Sequence, residues 1–205
     1  MSEHEPTQRG RRGPYAKTER TRQVILDAAL EVFAAAGYRS GSLRDVANRV
    51  GISEAGLLHH FPSKSELLAQ VLERRDEYTL ANFDFNATEP ESVVRAFVDL
   101  ARYNATTPGV VELYCRLSAE ATSPDHPAHE YFVRRYENAR ESVMAAFCEF
   151  ESRGKLRHGT SPALATRTVL AIFDGLQIQW LLDRSLLDMS EDIEAYLRAI
   201  LKLDH

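Results

Sequence analysis

Residues 42–64 read SLRDVANRVGISEAGLLHHFPSK, and this stretch decides the fold. Ser42 is placed to cap the free N–H groups of a helix that begins at Leu43, with Asp45 in its electropositive first turn. Val46, Ala47 and Val50 line one face, and Ala47 is small enough to let a second helix cross closely. Gly51 supplies a left-handed residue that ends the helix without a Cβ clash. Ile52 fills the corner, Ser53 caps the next helix, and Leu57 and Phe61 point inward at i, i+4. At about 100° per residue, Ala55, Gly56 and His59 face away from that core, with Leu58 and His60 on the flanks. A short helix that presents small and polar residues outward suits a major groove.

The pattern extends both ways. Thr18–Tyr38 is an amphipathic helix with Ile25, Ala28, Val32 and Ala36 on one stripe and Gly37 as its stop. Ser63 and Glu66 form a capping-box pattern that opens a further helix near Lys64. With these flanks the chain resembles the TetR (TetR/AcrR) family of bacterial regulators. The resemblance rests on Ile25, Ala28, Phe33, Gly37, Tyr38, Val46, Ala47, Gly51, Ile52, Ser53, Leu57, His60, Phe61, Lys64 and Leu67–Leu68. It implies an all-α chain of nine helices: three in a DNA-binding head, the rest in a body that binds a small-molecule inducer and dimerises. The chain departs from the family's common pattern at Ala55, Gly56 and Leu58, positions of its base contacts.

Charge is divided unevenly. Residues 1–68 carry ten Lys/Arg against eight Asp/Glu, whereas residues 69–205 carry fifteen against twenty-two. The overall charge of −5 therefore does not argue against nucleic acid, because a local basic end is what phosphate contact requires. The acidic remainder keeps the rest of the molecule off DNA. Cys115 and Cys148 both fall in helical apolar patterns and read as small buried hydrophobes. No N-terminal apolar leader and no run of about 18 apolar residues is present, which predicts a cytoplasmic protein.

Residues 1–16 are polar and interrupted by Pro6, Gly10, Gly13 and Pro14, the composition of a disordered basic arm. Its RGRR run, with Arg11 and Arg12, is open to two readings: minor-groove contact, or a solvated tail that only raises nonspecific affinity. Residues 17–63 form the expected head and residues 64–205 the body. The remaining helices are expected at Lys64 to Tyr78, from Thr88 and Glu91 to before Pro108, Val110–Ala121, Pro127–Arg153, Pro162–Asp183, and Glu191–Lys202 with Ser190 as cap.

Three sets of candidate residues follow. For DNA, Arg44 and Lys64 lie where phosphates would flank the groove, Leu58 and His59 where bases would, and His60 closer to phosphate; Glu54 either accepts from a cytosine amino group or, the favoured reading, caps its own helix. Gly56 reads either as relief for close approach to DNA or as a neutral substitution. For a ligand, Phe97, Tyr103, Asn104, Tyr114, Tyr136, Phe173, Gln177 and Trp180 converge as aromatic and polar groups, with Gln177 to orient a largely apolar molecule. An ordinary helical core would use the same residues. For assembly, Gly175, Ile178, Leu182, Ile193, Tyr196, Leu197 and Ile200 leave more apolar surface on the last two helices than one monomer covers.

Enzymatic and cofactor chemistry has no support. Asp125, His126, His129 and Glu130 lack metal-site spacing and read as a solvated loop. No nucleophile motif or phosphate-binding glycine loop occurs. The expected partners are double-stranded DNA, an inducer and a second copy of the chain. A ligand-independent structural DNA-binding protein, or a small-molecule binder with a non-functional head, are the alternatives.

Overall fold

The computed structural model describes residues 13–85, 87 and 89–202, with the side chains of 13–15 and 17 outside that set. Among the described residues the architecture is all-α. The helices are α1 (Gly13–Ser40), α2 (Leu43–Val50), α3 (Glu54–His60), α4 (Lys64–Asn82), α5 (Pro90–Thr106), α6 (Pro108–Glu120), α7 (His129–Ser152), α8 (Pro162–Leu182) and α9 (Met189–Ile200). Arg11 and Arg12 lie outside the described residues, as does Thr88.

Several boundaries differ from expectation, each for a local reason. Gly13–Ala16, expected in the arm, open α1 instead; Pro14 there lacks only an N–H that a first helical turn leaves unbonded. Gly37 does interrupt α1, at φ 77°, ψ 162°, but one more turn follows it to Ser40. The cap of α9 is Asp188, not Ser190: its carboxylate accepts from the backbone N–H groups of Ser190 at 2.8 Å and Glu191 at 3.1 Å. The α7 helix starts at His129 rather than Pro127, because the Ser123–His129 turns spend their backbone bonds locally.

The corner between α2 and α3 forms as the sequence requires. Ser42 accepts from the Asp45 N–H and Asp45 accepts from the Ser42 N–H, a reciprocal box. Gly51 takes φ 78°, ψ 31°, where its N–H closes onto the Ala47 and Asn48 carbonyls.

Two hydrophobic cores organise the molecule. One begins in the head, with Ile25, Phe33, Val46, Leu57 and Phe61, and continues without a break through Leu67–Leu72 of α4, Leu113 and Leu117 of α6, and Phe132 of α7. The other joins α5, the C-terminal half of α7, α8 and α9 around Phe97, Val143, Phe150, Val169 and Ile193. Residue 63 is therefore no break in packing: α4 and α6 share the head's core.

Candidate DNA-reading head and body cavity

The α3 helix is fixed from beneath and open above. Leu57 and Phe61 are wholly buried, whereas Ala55, Leu58 and His59 are exposed and Gly56 and His60 half-buried. Ser53 caps the helix by accepting from the Gly56 N–H at 3.0 Å, so Glu54 is not the cap. A Cβ on Gly56 would stand 3.2 Å from that hydroxyl, which is a local reason for glycine independent of DNA. Arg44 is exposed on α2. Lys64 is more occupied than its position suggests: Nζ donates to the Arg39 carbonyl at 3.1 Å and sits 4.6 Å from the centre of the Tyr38 ring. Partial burial pushes its pKa below the ordinary lysine value.

Arg22 holds the far end of α3 and was not singled out by the pattern. Its Nη1 donates to the His60 carbonyl at 2.5 Å, and its guanidinium stacks 4.3 Å from the Phe61 ring centre. Arg49 pairs with Glu31 and Arg74 with Asp27, tying α2 and α4 to α1. The histidines expected in a solvated loop are packed instead. His126 meets the edge of Tyr38 at 6.1 Å and lies 3.5 Å from Glu120, while His129 Nδ1 is 2.8 Å from the Ala121 carbonyl. No cluster of three or more metal-type ligands occurs among the described residues.

In the body a cavity of about 50 Å³ opens between α4, α5, α6, α7 and α8. Of the residues named for a ligand, Asn104, Tyr114, Phe173 and Gln177 line it. Phe97 stands behind, with its ring centre 5.6 Å from that of Phe173. Tyr103 lies beneath Arg75 and beside Tyr78, and Tyr136 turns to Asp174, donating to it at 2.7 Å. Trp180 is a correction: its indole is buried in the second core and faces Arg184 rather than the cavity.

The lining is more polar than an apolar inducer would suggest, because α4 and α7 contribute Arg75, Asp76, Thr79 and Arg135. Asp76 pairs with Arg135 and accepts from the Tyr131 hydroxyl at 2.6 Å. Tyr114 donates to the Leu72 carbonyl at 3.2 Å, and burial raises its pKa. None of Arg75, Asp76, Thr79 and Arg135 is among the candidates named from the sequence. The available signal was spacing: Leu68, Leu72, Arg75 and Thr79 fall on one inward stripe of α4. On that stripe Arg75 and Thr79, the two polar residues, both line the cavity.

Cys115 is half-buried, its thiol 3.8 Å from the Gln177 carbonyl oxygen and pushed up to about 11 by burial. Cys148, expected to be buried, is exposed. On the last helices, Ile178 is 51% and Leu182 83% exposed, and Gly175 has no atom within 4 Å of where a Cβ would stand. Ile193 and Leu197 are not available for an interface, because the chain's own second core covers them completely or nearly so. Tyr196 and Ile200 are half-buried, with the Tyr196 hydroxyl bonded to Thr168.

A head of three helices with the exposed face of α3, on a helical body with an internal cavity, is a helix-turn-helix architecture. Residues 25–71, which span the head from the middle of α1 into α4, match the bacterial regulatory proteins of the tetR family. The chain is 43% identical over 60 residues to the transcriptional regulator SrpR of Pseudomonas putida, covering 29% of this chain and 28% of that one. It is 31% identical over 110 residues, half of each chain, to the transcriptional activator FasR of Mycolicibacterium smegmatis. The chain thus spans half or less of the length of these curated relatives. The fold is also that of SmeT, repressor of a multidrug efflux pump of Stenotrophomonas maltophilia, with a TM-score of 0.73 and 21% identity over 90% of this chain and 92% of that one. SmeT has also been solved with triclosan bound.

Proposed function

We propose that this protein is a dimeric transcriptional repressor that a small molecule releases from a palindrome-like operator. The observation that carries this reading is the α3 face: Leu57 and Phe61 anchor it while Ala55, Leu58 and His59 stand exposed to read base edges. Arg44 and Lys64 flank it for phosphates. The repressor mode and the ligand are supported by the likeness to SmeT, a repressor solved with a small molecule.

Dimerisation is supported by one stripe of α8. Leu164, Ala171, Gly175, Ile178 and Leu182 follow each other at seven, four, three and four residues, the spacing of a helix–helix seam. All but half-buried Gly175 are exposed. A mate pairing there would place two heads symmetrically for a two-fold operator.

Release is a population shift, and the ligand must prefer the dimer that does not bind DNA. The α4 helix connects the two ends: Lys64 beside the reader and Thr79 at the cavity are about 22 Å apart along one helix. A cavity of about 50 Å³ holds only a small part of a drug-sized molecule, since such ligands occupy roughly 300–1,000 Å³. Binding must then displace the walls, and α4 is one of them.

The test is selection of DNA fragments by the purified protein, followed by salt titration on the selected and on random DNA. A repressor of this kind favours its site by about 10³-fold or more. Equal affinity for both would make it a structural DNA-binding protein, and no affinity would make the head non-functional.

A further inference from the structure

We propose that the body cavity receives an anionic head group, a carboxylate or an isostere of one, and that Arg75 is the residue that holds it. The inference rests on reading the cavity as the inducer site. Its basis is a charge imbalance. The lining holds two guanidinium groups, Arg75 and Arg135, and one carboxylate, Asp76. Asp76 is fully engaged, by Arg135 and by the Tyr131 hydroxyl. Arg75 has no carboxylate within 4 Å among the described residues. Its Nη1 donates to the Thr79 hydroxyl at 2.7 Å and its Nη2 to the Asn104 carbonyl oxygen at 3.3 Å, both neutral acceptors.

The guanidinium is nonetheless held in place. Its centre lies 4.9 Å from the Tyr103 ring and 5.6 Å from the Tyr78 ring. Arginine carries five N–H donors in a rigid fork, so two bonds leave donors to spare. A half-buried cation without a counter-ion is costly, and here Arg135 adds a second positive charge that works against it. A second carboxylate near Arg135 is Asp174 of α8, but it accepts from the Tyr136 hydroxyl of α7, and burial raises its pKa toward the neutral form. A ligand carboxylate would meet the fork with two parallel bonds and neutralise the surplus.

The rest of the cavity fits the remainder of such a molecule. Its volume of about 50 Å³ suits a head of a few atoms, and Leu100, Val111 and Phe173 form the apolar side along which a hydrocarbon portion would extend. The ligand class is therefore an amphipathic acid rather than a largely apolar neutral molecule.

The experiment uses the full chain and two matched pairs of probes: phenylacetate with phenylacetamide, and decanoate with decanamide. Binding is read by calorimetry and by thermal shift. The acids are expected to bind at least tenfold more tightly than their amides. Arg75→Gln should erase that preference while the circular dichroism stays native. Should Arg75→Gln fail to fold, Arg75→Lys keeps the charge without the fork and should retain only part of the preference. Arg102→Gln, on the exposed face of α5 and paired with Asp99, should leave it intact. Amides that bind as well as acids, absence of acid binding at millimolar concentration, or an undiminished preference in both Arg75 variants would overturn the proposal. Operator release is scored separately: an acid that binds with the Arg75 dependence but leaves DNA bound upholds the anion site and removes the inducer reading alone.

Discussion

Arg22 shows how one side chain outside the helix-turn-helix sets its geometry. It closes the open carbonyl end of α3 and covers Phe61, so the reader's C-terminus is pinned to α1. Arg22→Ala should lower stability by about 1–2 kcal/mol through the lost hydrogen bond and cation–π contact. It should also weaken selected and random DNA together, because it loosens the helix without touching a base. Denaturant unfolding and DNA titration measure both; a stability equal to wild type would show that neither contact is held in solution. Lys64 and His59 make a contrasting pair. Lys64→Ala should reduce the log–log salt slope by about one contact, whereas His59→Ala should cost about 1–3 kcal/mol on the preferred site only. An unchanged slope would mean that the ammonium stays on the Arg39 carbonyl when DNA binds.

Among the elements, α9 depends most visibly on its first turn. Asp188 caps it, and the Ser190 hydroxyl together with the Glu191 and Ser190 N–H groups holds the Asp188 carboxyl below its usual range. Asp188→Ala should cost about 1 kcal/mol and lower the Tm by about 2–4 °C. The sign with pH follows from the lowered pKa. The contribution is complete above the unfolded carboxyl's value and disappears as pH falls through the lower folded value. Wild type and Asp188→Ala should thus differ fully at pH 7 and converge below about pH 4. A difference that persists undiminished at pH 2.5 would assign the effect to packing rather than to the charged cap.

At the scale of the whole molecule, association is separable from folding. No atom lies within 4 Å of a Cβ built on Gly175, and Leu182 is 83% exposed. Gly175→Leu and Leu182→Glu should therefore leave the monomer's fold intact while breaking the α8 seam. Sedimentation should show a wild-type dimer at micromolar concentration and monomers for both variants, with operator affinity falling at least tenfold as the paired heads separate. A wild-type monomer, or variants that remain dimeric, would move the interface away from this stripe.

The head was legible in the sequence because its devices are local. A cap at Ser42, a left-handed glycine at Gly51 and the i, i+4 pair Leu57 and Phe61 each act within a few residues, and the structure realises all three. The all-α course of nine helices among the described residues was equally readable from apolar periodicity, with boundaries shifted where competing turns or a better cap, such as Asp188, took over. Which residues meet across helices was not readable. Arg75 and Arg135 are sixty residues apart and neither is among the candidates named from the sequence, yet α4 and α7 bring them to one cavity. Trp180 and Ile193 went the other way, into a core that only the packing of α5, α7, α8 and α9 creates. Short-range hydrogen bonding and periodicity are written in neighbouring residues, whereas burial and the balance of charge inside a cavity depend on partners that only tertiary packing selects.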